Sequence, residues 1–79
     1  APNRFFPPAA VWELAAVVEA LCADAPEDGF SAADFKNKTG IGRNVAIEVL
    51  EFFDTSGLTR RNGNSRSLRR PAAEVFGDG

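Results

Sequence analysis

Gly57 divides two stretches of this chain whose periodicities are incompatible, and together they leave few folds open. Upstream, Ala46, Val49, Leu50 and Phe53 recur at the spacing of one helical face, with Ile47 on its margin. Arg43, Asn44, Glu48 and Glu51 fall largely outside that stripe. Downstream, Leu58 to Arg61 and Ser65 to Arg69 flank Asn62-Gly63-Asn64 and read as a hairpin. Gly57 suits the position just past a helix end. The register of the hairpin follows from its leucines. If Leu58 and Leu68 both face the core they pair across the strands, and Gly63 becomes the centre of a three-residue loop that needs positive φ. A two-residue Asn-Gly turn would point the leucines to opposite faces. The odd loop is therefore the expectation.

Two further helices precede this unit. Phe30-Ser31-Ala32-Ala33-Asp34-Phe35 is a helix start, with Ser31 as N-cap and Asp34 three residues on, where a carboxylate favours the amino end. The usual capping box carries Glu or Gln there, so this is a shorter variant, and Phe30 and Phe35 have the spacing of a hydrophobic staple. This helix is brief and ends near Thr39-Gly40, and Ile41-Gly42 leads into the next. Earlier still, Val11, Leu14, Ala15, Val18, Leu21 and Cys22 form a helical stripe opened by Pro7-Pro8 and fading at Ala25-Pro26, with Pro-Glu-Asp-Gly as the following turn. Trp12, beside the stripe, reads as a packing residue. Arg4-Phe5-Phe6 cannot be helical before the prolines and reads as an edge strand or strap. Ala72, Ala73, Val75 and Phe76 are apolar enough for the tail to fold back before Gly-Asp-Gly.

A short helix, a Gly-containing turn and a second helix make a helix-turn-helix. The fold class expected is mostly α with a small β-hairpin (α+β): a winged helix-turn-helix of three helices and a two- or three-stranded wing, as one domain over residues 1–79. Such a chain buries only roughly 60% of its unfolded surface. No apolar run approaches the roughly 18 residues that span a bilayer, and this amino end does not show the charged-then-apolar pattern of a secretion signal. The start at Ala1-Pro2, without methionine, suggests a piece of a longer chain. One cysteine, Cys22, excludes an internal disulfide, and without histidine a zinc site is not expected.

Charge is the second constraint. The chain is formally −2, yet eight of its nine basic residues lie between Lys36 and Arg70. Residues 1–35 carry one basic group against six acidic ones, and residues 36–70 carry eight against three, so the halves stand at −5 and +5. A dipolar molecule of this kind points to a polyanion partner, with nucleic acid the expectation.

The run Phe35-Lys36-Asn37-Lys38-Thr39-Gly40-Ile41-Gly42-Arg43-Asn44-Val45-Ala46-Ile47-Glu48-Val49-Leu50-Glu51-Phe52-Phe53-Asp54, with Gly57-Leu58-Thr59-Arg60-Arg61-Asn62-Gly63-Asn64, closely resembles the last winged-helix domain of bacterial SelB, the selenocysteine-specific elongation factor. In that family a Gly-(Thr/Ser)-(Gly/Ser)-Arg-Lys segment opens the recognition helix, Leu-Glu-(Phe/Tyr)-(Phe/Leu)-Asp closes it, and Thr-Arg-Arg begins the wing. The resemblance covers about residues 30 to 70. It implies a carboxy-terminal RNA-binding module of a cytoplasmic translational GTPase that delivers selenocysteinyl-tRNA to the ribosome. The module grips the SECIS hairpin of the messenger RNA downstream of an in-frame UGA codon. The partners it implies are that hairpin, neighbouring winged-helix domains and, through the parent, the tRNA and ribosome; the module is expected to be a monomer and to need no membrane. GTP and magnesium would belong to the parent's GTPase domain, because these residues contain no Gly-x-x-x-x-Gly-Lys-(Ser/Thr) loop. Arg43 matches the helix-opening arginine and Asn44 stands where lysine is usual, which removes a charge. Arg60 and Arg61 match the wing pair, and Asn62-Gly63-Asn64 matches its tip.

The residues themselves suggest how RNA would be held. The amino end of the third helix offers unpaired N–H groups beside Arg43, a natural phosphate seat. Arg60, Arg61 and Arg66 extend this along the hairpin, and Lys36 and Lys38 are peripheral phosphate contacts or solvated groups. Because an A-form major groove is too deep and narrow for a helix to read, sequence would be taken from loop or bulged bases, with Asn62 and Asn64 facing base edges and Gly63 allowing close approach. Arg69 and Arg70 are expected to pair with Glu74 or solvent. Two rivals share the fold. A DNA-binding regulator is disfavoured by Glu48 and Glu51 on the recognition helix, and a protein-docking module would use Glu13 and Glu19 on the first helix. An enzyme has no nucleophile–base or acid–base constellation to support it.

Overall fold

The computed structural model describes residues 8–25 and 27–77, and over them the chain runs α1 (Pro8–Asp24), β1 (Phe30–Ser31), α2 (Ala32–Thr39), α3 (Arg43–Ser56), β2 (Thr59–Asn62), β3 (Ser65–Leu68) and α4 (Ala72–Phe76). The strap expected at Arg4-Phe5-Phe6, the role given to Pro7, the Pro26 position of the turn and the last two residues lie outside the described residues.

Local chemistry sets the helix-turn-helix. The Asp34 N–H donates to Ser31 Oγ and the Ser31 N–H donates to Asp34 Oδ2, both at 3.0 Å, so the aspartate completes a capping box. Phe30 and Phe35 meet as the staple spacing requires, ring centroids 6.4 Å apart. Helix α2 stops when the Gly40 N–H donates to Lys36 O at 2.8 Å, and α3 begins after the Gly42 N-cap. At the far end of α3 the Gly57 N–H donates to Phe53 O and Asp54 O, and the Leu58 N–H to Phe53 O at 3.0 Å. That is a complete Schellman stop.

Val11, Ala15 and Val18 of α1, Phe35 of α2, and Ala46, Val49, Leu50 and Phe53 of α3 form one core with Phe30, Leu58 and Ala72. A fully buried side chain of this size stabilises by about 1.5–3 kcal/mol on transfer alone. Trp12, Leu14, Leu21, Cys22 and Ile41 pack against the core while half-buried. The tail folds back as expected. The Ala72 N–H donates to Glu19 Oε2 at 2.9 Å, so a carboxylate of α1 caps α4, whose own N-cap, Pro71, makes no side-chain cap. Phe76 stacks on Phe52, centroids 6.0 Å apart.

The sheet is antiparallel in the order β1-β3-β2, the three-stranded form of the wing. Its register departs from the sequence reading. Thr59 pairs with Leu68, Arg60 with Ser67, Arg61 with Arg66 and Asn62 with Ser65, which leaves a two-residue turn, Gly63-Asn64. Gly63 has φ +66° and, among the described residues, no non-glycine residue has positive φ, the pattern of a type II′ turn. The premise that failed is that Leu58 belongs to the strand. It sits in the helix stop, and that geometry turns its side chain inward without help from sheet alternation, while Leu68 faces in opposite Thr59.

Cys22 is half-buried between α1 and β3. Burial pushes its thiol above the ordinary range; the Leu68 backbone opposes this and the Glu19 charge reinforces it. The folded state therefore holds the proton more tightly, and the stability this linkage supplies is present below the ordinary thiol pKa and lost as pH climbs above it. Alkylation of Cys22 by iodoacetamide at pH 7 is expected to be slow in the folded chain and to reach the free-cysteine rate in urea. Equal rates in both states would overturn that assignment.

Candidate nucleic-acid interface

On a helix turning 100° per residue, Arg43, Ile47 and Asp54 lie within about 40° of one another, on one side of α3 beside the buried stripe. They mark the positions of two basic depressions. At the amino end, Lys36 and Arg43 flank a shallow cleft between α2 and α3, floored by Ala32, Ala33, Ala46 and Ile47. Lys36 is half-buried and Arg43 exposed. No side chain caps α3 there, so its first N–H groups face outward beside Arg43. At the carboxy end, Arg60, Arg61 and Arg69 surround an open depression whose base is Asp54 and Thr59. From residue 43 to residue 54 the helix rises roughly 16 Å, so the two groups of cations are separate seats on one side of the molecule.

The wing tip is exposed and ordered by its own bonds. Arg61 Nε donates to Gly63 O at 3.1 Å, and Ser65 Oγ donates to Asn62 O at 3.2 Å. Asn62, Gly63 and Asn64 are all exposed there. Lys38 and Asn44 are exposed and line neither depression.

Arg66 requires correction. It was expected among the wing's RNA contacts, yet it is only 7% exposed. Its Nε lies 3.1 Å from each Asp54 oxygen and its Nη2 lies 3.0 Å from Asp54 Oδ2. The cause is alternation: Arg66 opposes Arg61 one pair of steps from the inward Thr59–Leu68 pair, which turns it toward the end of α3. Arg69, expected to pair with Glu74 or solvent, is exposed and lines the depression with Arg60 and Arg61. Its N–H donates to Leu58 O at 2.7 Å, so it continues the ladder past β3 and stands diagonal to Arg60 on the outer face. Period-two counting from the inward Leu68 puts Arg69 on the outer face in either register. Glu19, a candidate docking residue, is engaged internally as the α4 cap.

Among the described residues no group of acidic, cysteine or histidine side chains could hold a metal ion, and no helix is long and apolar enough to cross a membrane. The arrangement offers cations, helix N–H groups and an exposed polar tip, which is equipment for binding phosphates and base edges.

Comparison with known proteins agrees with this equipment. Residues 23–68 match the family described as "Elongation factor SelB, winged helix". The selenocysteine-specific elongation factor of Escherichia coli K12 is 55% identical over 38 residues, 48% of this chain and 6% of that protein. Its counterpart from Haemophilus influenzae is 31% identical over 68 residues, 85% of this chain and 10% of that protein. The chain thus spans a tenth or less of these relatives. Among solved structures, the mRNA-binding domain of elongation factor SelB from E. coli in complex with SECIS RNA superposes with TM-score 0.79 at 36% identity, covering 89% of this chain and 56% of that one.

Proposed function

Because the chain belongs to the SelB winged-helix family, we propose that it is the mRNA-binding winged-helix module of a selenocysteine-specific elongation factor and that it grips the SECIS hairpin following an in-frame UGA codon. The observation that carries this reading is the likeness to a domain solved with SECIS RNA. The two basic seats on one side of α3 support it. In the longer protein this module works in the cytoplasm beside neighbouring winged-helix domains, and GTP with magnesium is handled by a separate GTPase domain. Its task is binding, with no catalytic step of its own.

The residues divide by chemistry. Arg43 and the first N–H groups of α3 seat a stem phosphate, with Lys36 beside them. Arg60 and Arg69 add phosphate contacts along the wing. The tip, Asn62-Gly63-Asn64 with Arg61 folded over it, meets the loop, where unstacked bases present hydrogen-bonding edges. Lys38 and Asn44 make peripheral contacts at most, and Arg66 none.

The test is binding to the hairpin from a selenoprotein message of the source organism, against a loop-scrambled hairpin and a matched DNA duplex. Selective binding to the intact loop, weakening steeply with salt, is expected. Equal binding to all three would reduce the chain to a generic basic winged helix, and no binding would point to protein docking. Arg61→Ala is expected to cost about 1–3 kcal/mol and to narrow the gap between intact and scrambled loops, whereas Arg43→Ala should weaken both and reduce the salt slope by about one. An Arg61→Ala affinity equal to the parent's would remove Arg61 from the readout.

A further inference from the structure

Asp54 is where the recognition helix and both wing strands meet. From the last turn of α3 its carboxylate accepts Thr59 Oγ1, at the start of β2, at 2.6 Å, and takes Arg66 of β3 side-on through Nε and Nη2. Thr59 is 2% exposed with its hydroxyl donated to Asp54, and Arg66 is 7% exposed with its fork on the same carboxylate, so neither offers a free donor to a bound polyanion. The pairing puts Thr59, Arg61 and Arg66 on the same hairpin face. Hydroxyl and guanidinium therefore converge on one carboxylate from two strands. A fork-shaped guanidinium meeting a carboxylate through two nitrogens constrains direction as well as distance. The backbone stop at Gly57-Leu58 and the buried Leu58 side chain also join α3 to the wing.

Asp54 also lines the depression holding Arg60, Arg61 and Arg69. An unpaired carboxylate there would repel the phosphate those arginines attract. Arg66 cancels that charge from the inside and leaves the three outer guanidinium groups uncompensated.

We infer that Asp54, Thr59 and Arg66 form a latch that fixes the tilt of the wing against α3, so that they position Arg60, Arg61 and Arg69 for RNA without touching it. The inference rests on the RNA-binding reading above. It makes the three positioning residues, and it accounts for an arginine of the wing being spent on the interior.

The decisive variants conserve charge. Thr59→Val removes only the hydroxyl, Thr59→Ser retains it, and Arg66→Lys keeps the charge but loses the fork. All are read by hairpin affinity across a salt series, and by amide hydrogen exchange of β2 and β3 relative to α3 without RNA. A variant that holds the wing correctly a tenth of the time binds about tenfold more weakly. The latch predicts that loss for Thr59→Val and Arg66→Lys, with faster wing exchange, an unchanged salt slope and unaltered α3 protection, while Thr59→Ser behaves as the parent. If Arg66→Lys binds as the parent and Arg66→Met loses about 0.7–0.9 from the salt slope, Arg66 is a phosphate contact and the latch is wrong. Unchanged wing exchange in Thr59→Val overturns the latch whether or not RNA binds. A parent chain that ignores every hairpin overturns the RNA-binding reading instead, and the exchange result then decides the latch alone.

Discussion

Phe53→Ala is expected to destabilise the fold by about 3–5 kcal/mol, the range for removing a fully buried phenylalanine. A chain of this size is held by roughly 4–12 kcal/mol in all, so the variant should lose a large share of its stability. The side chain is 1% exposed, and its ring lies 5.7 Å from Phe52 and 5.9 Å from Phe76. Its carbonyl also receives the two N–H groups that end α3. Collapse of the cavity is hindered on several sides at once, because the helix, its stop and α4 all converge there. Urea denaturation followed by circular dichroism measures the effect, and a loss below about 2 kcal/mol would mean the site relaxes far more than its packing suggests. Phe52→Ala is the internal control. Phe52 is 36% exposed, and its removal should cost much less.

Gly29→Ala is the second large effect, and its cause is different. Gly29 has φ +76°, and a Cβ built there would lie 2.3 Å from the carbonyl oxygen of Arg66 and 3.0 Å from its carbonyl carbon. The left-handed conformation alone costs about 1–2 kcal/mol for an alanine, and the collision is with backbone, which no rotamer change relieves. Relief requires β1 to move off β3, breaking the Phe30–Arg66 and Ser31–Ser65 pairings and exposing Phe30, now 2% exposed. A loss of about 3–5 kcal/mol is therefore expected from strain and overpacking together. Gly63→Ala calibrates the argument: the φ is similar, +66°, but nothing lies within 4 Å of the added carbon, so only the conformational strain of about 1–2 kcal/mol should appear. Equal losses in the two variants would show that the collision is relieved without cost. Gly29→Ala should also disturb hairpin binding in whatever remains folded, because the displaced backbone is that of Arg66.

These cases mark the boundary of what the sequence made legible. The two central helices, their capping box and staple, the Gly40 and Gly57 stops, and the buried face Ala46-Val49-Leu50-Phe53 all follow from interactions within four or five residues. The concentration of basic residues from Lys36 onward marked the half of the chain that carries both basic depressions, since charge is carried by the residues themselves. Arg43, Arg60, Arg61 and the tip residues are exposed as that reading requires. What it misjudged was the hairpin, where one wrong premise about Leu58 propagated through the ladder. A single step of register exchanges the faces of a whole strand, here the residues of β2, whereas Arg66 shares the face of the inward Leu68 in either register and its burial follows from that alternation and from Asp54.

The sequence by itself determined where helices start and stop, which helical faces are apolar and which half is basic, because those depend on near neighbours and on composition. Tertiary structure alone decided that Arg66 meets Asp54 at the end of α3, that a carboxylate of α1 caps a helix 53 residues away, and that β1 closes so tightly on β3 that only glycine fits at residue 29. Each of these is a pairing between distant residues. Strand register and the side on which the wing lies against α3 exist only once the chain has closed on itself, and a charged side chain has no inside or outside before then.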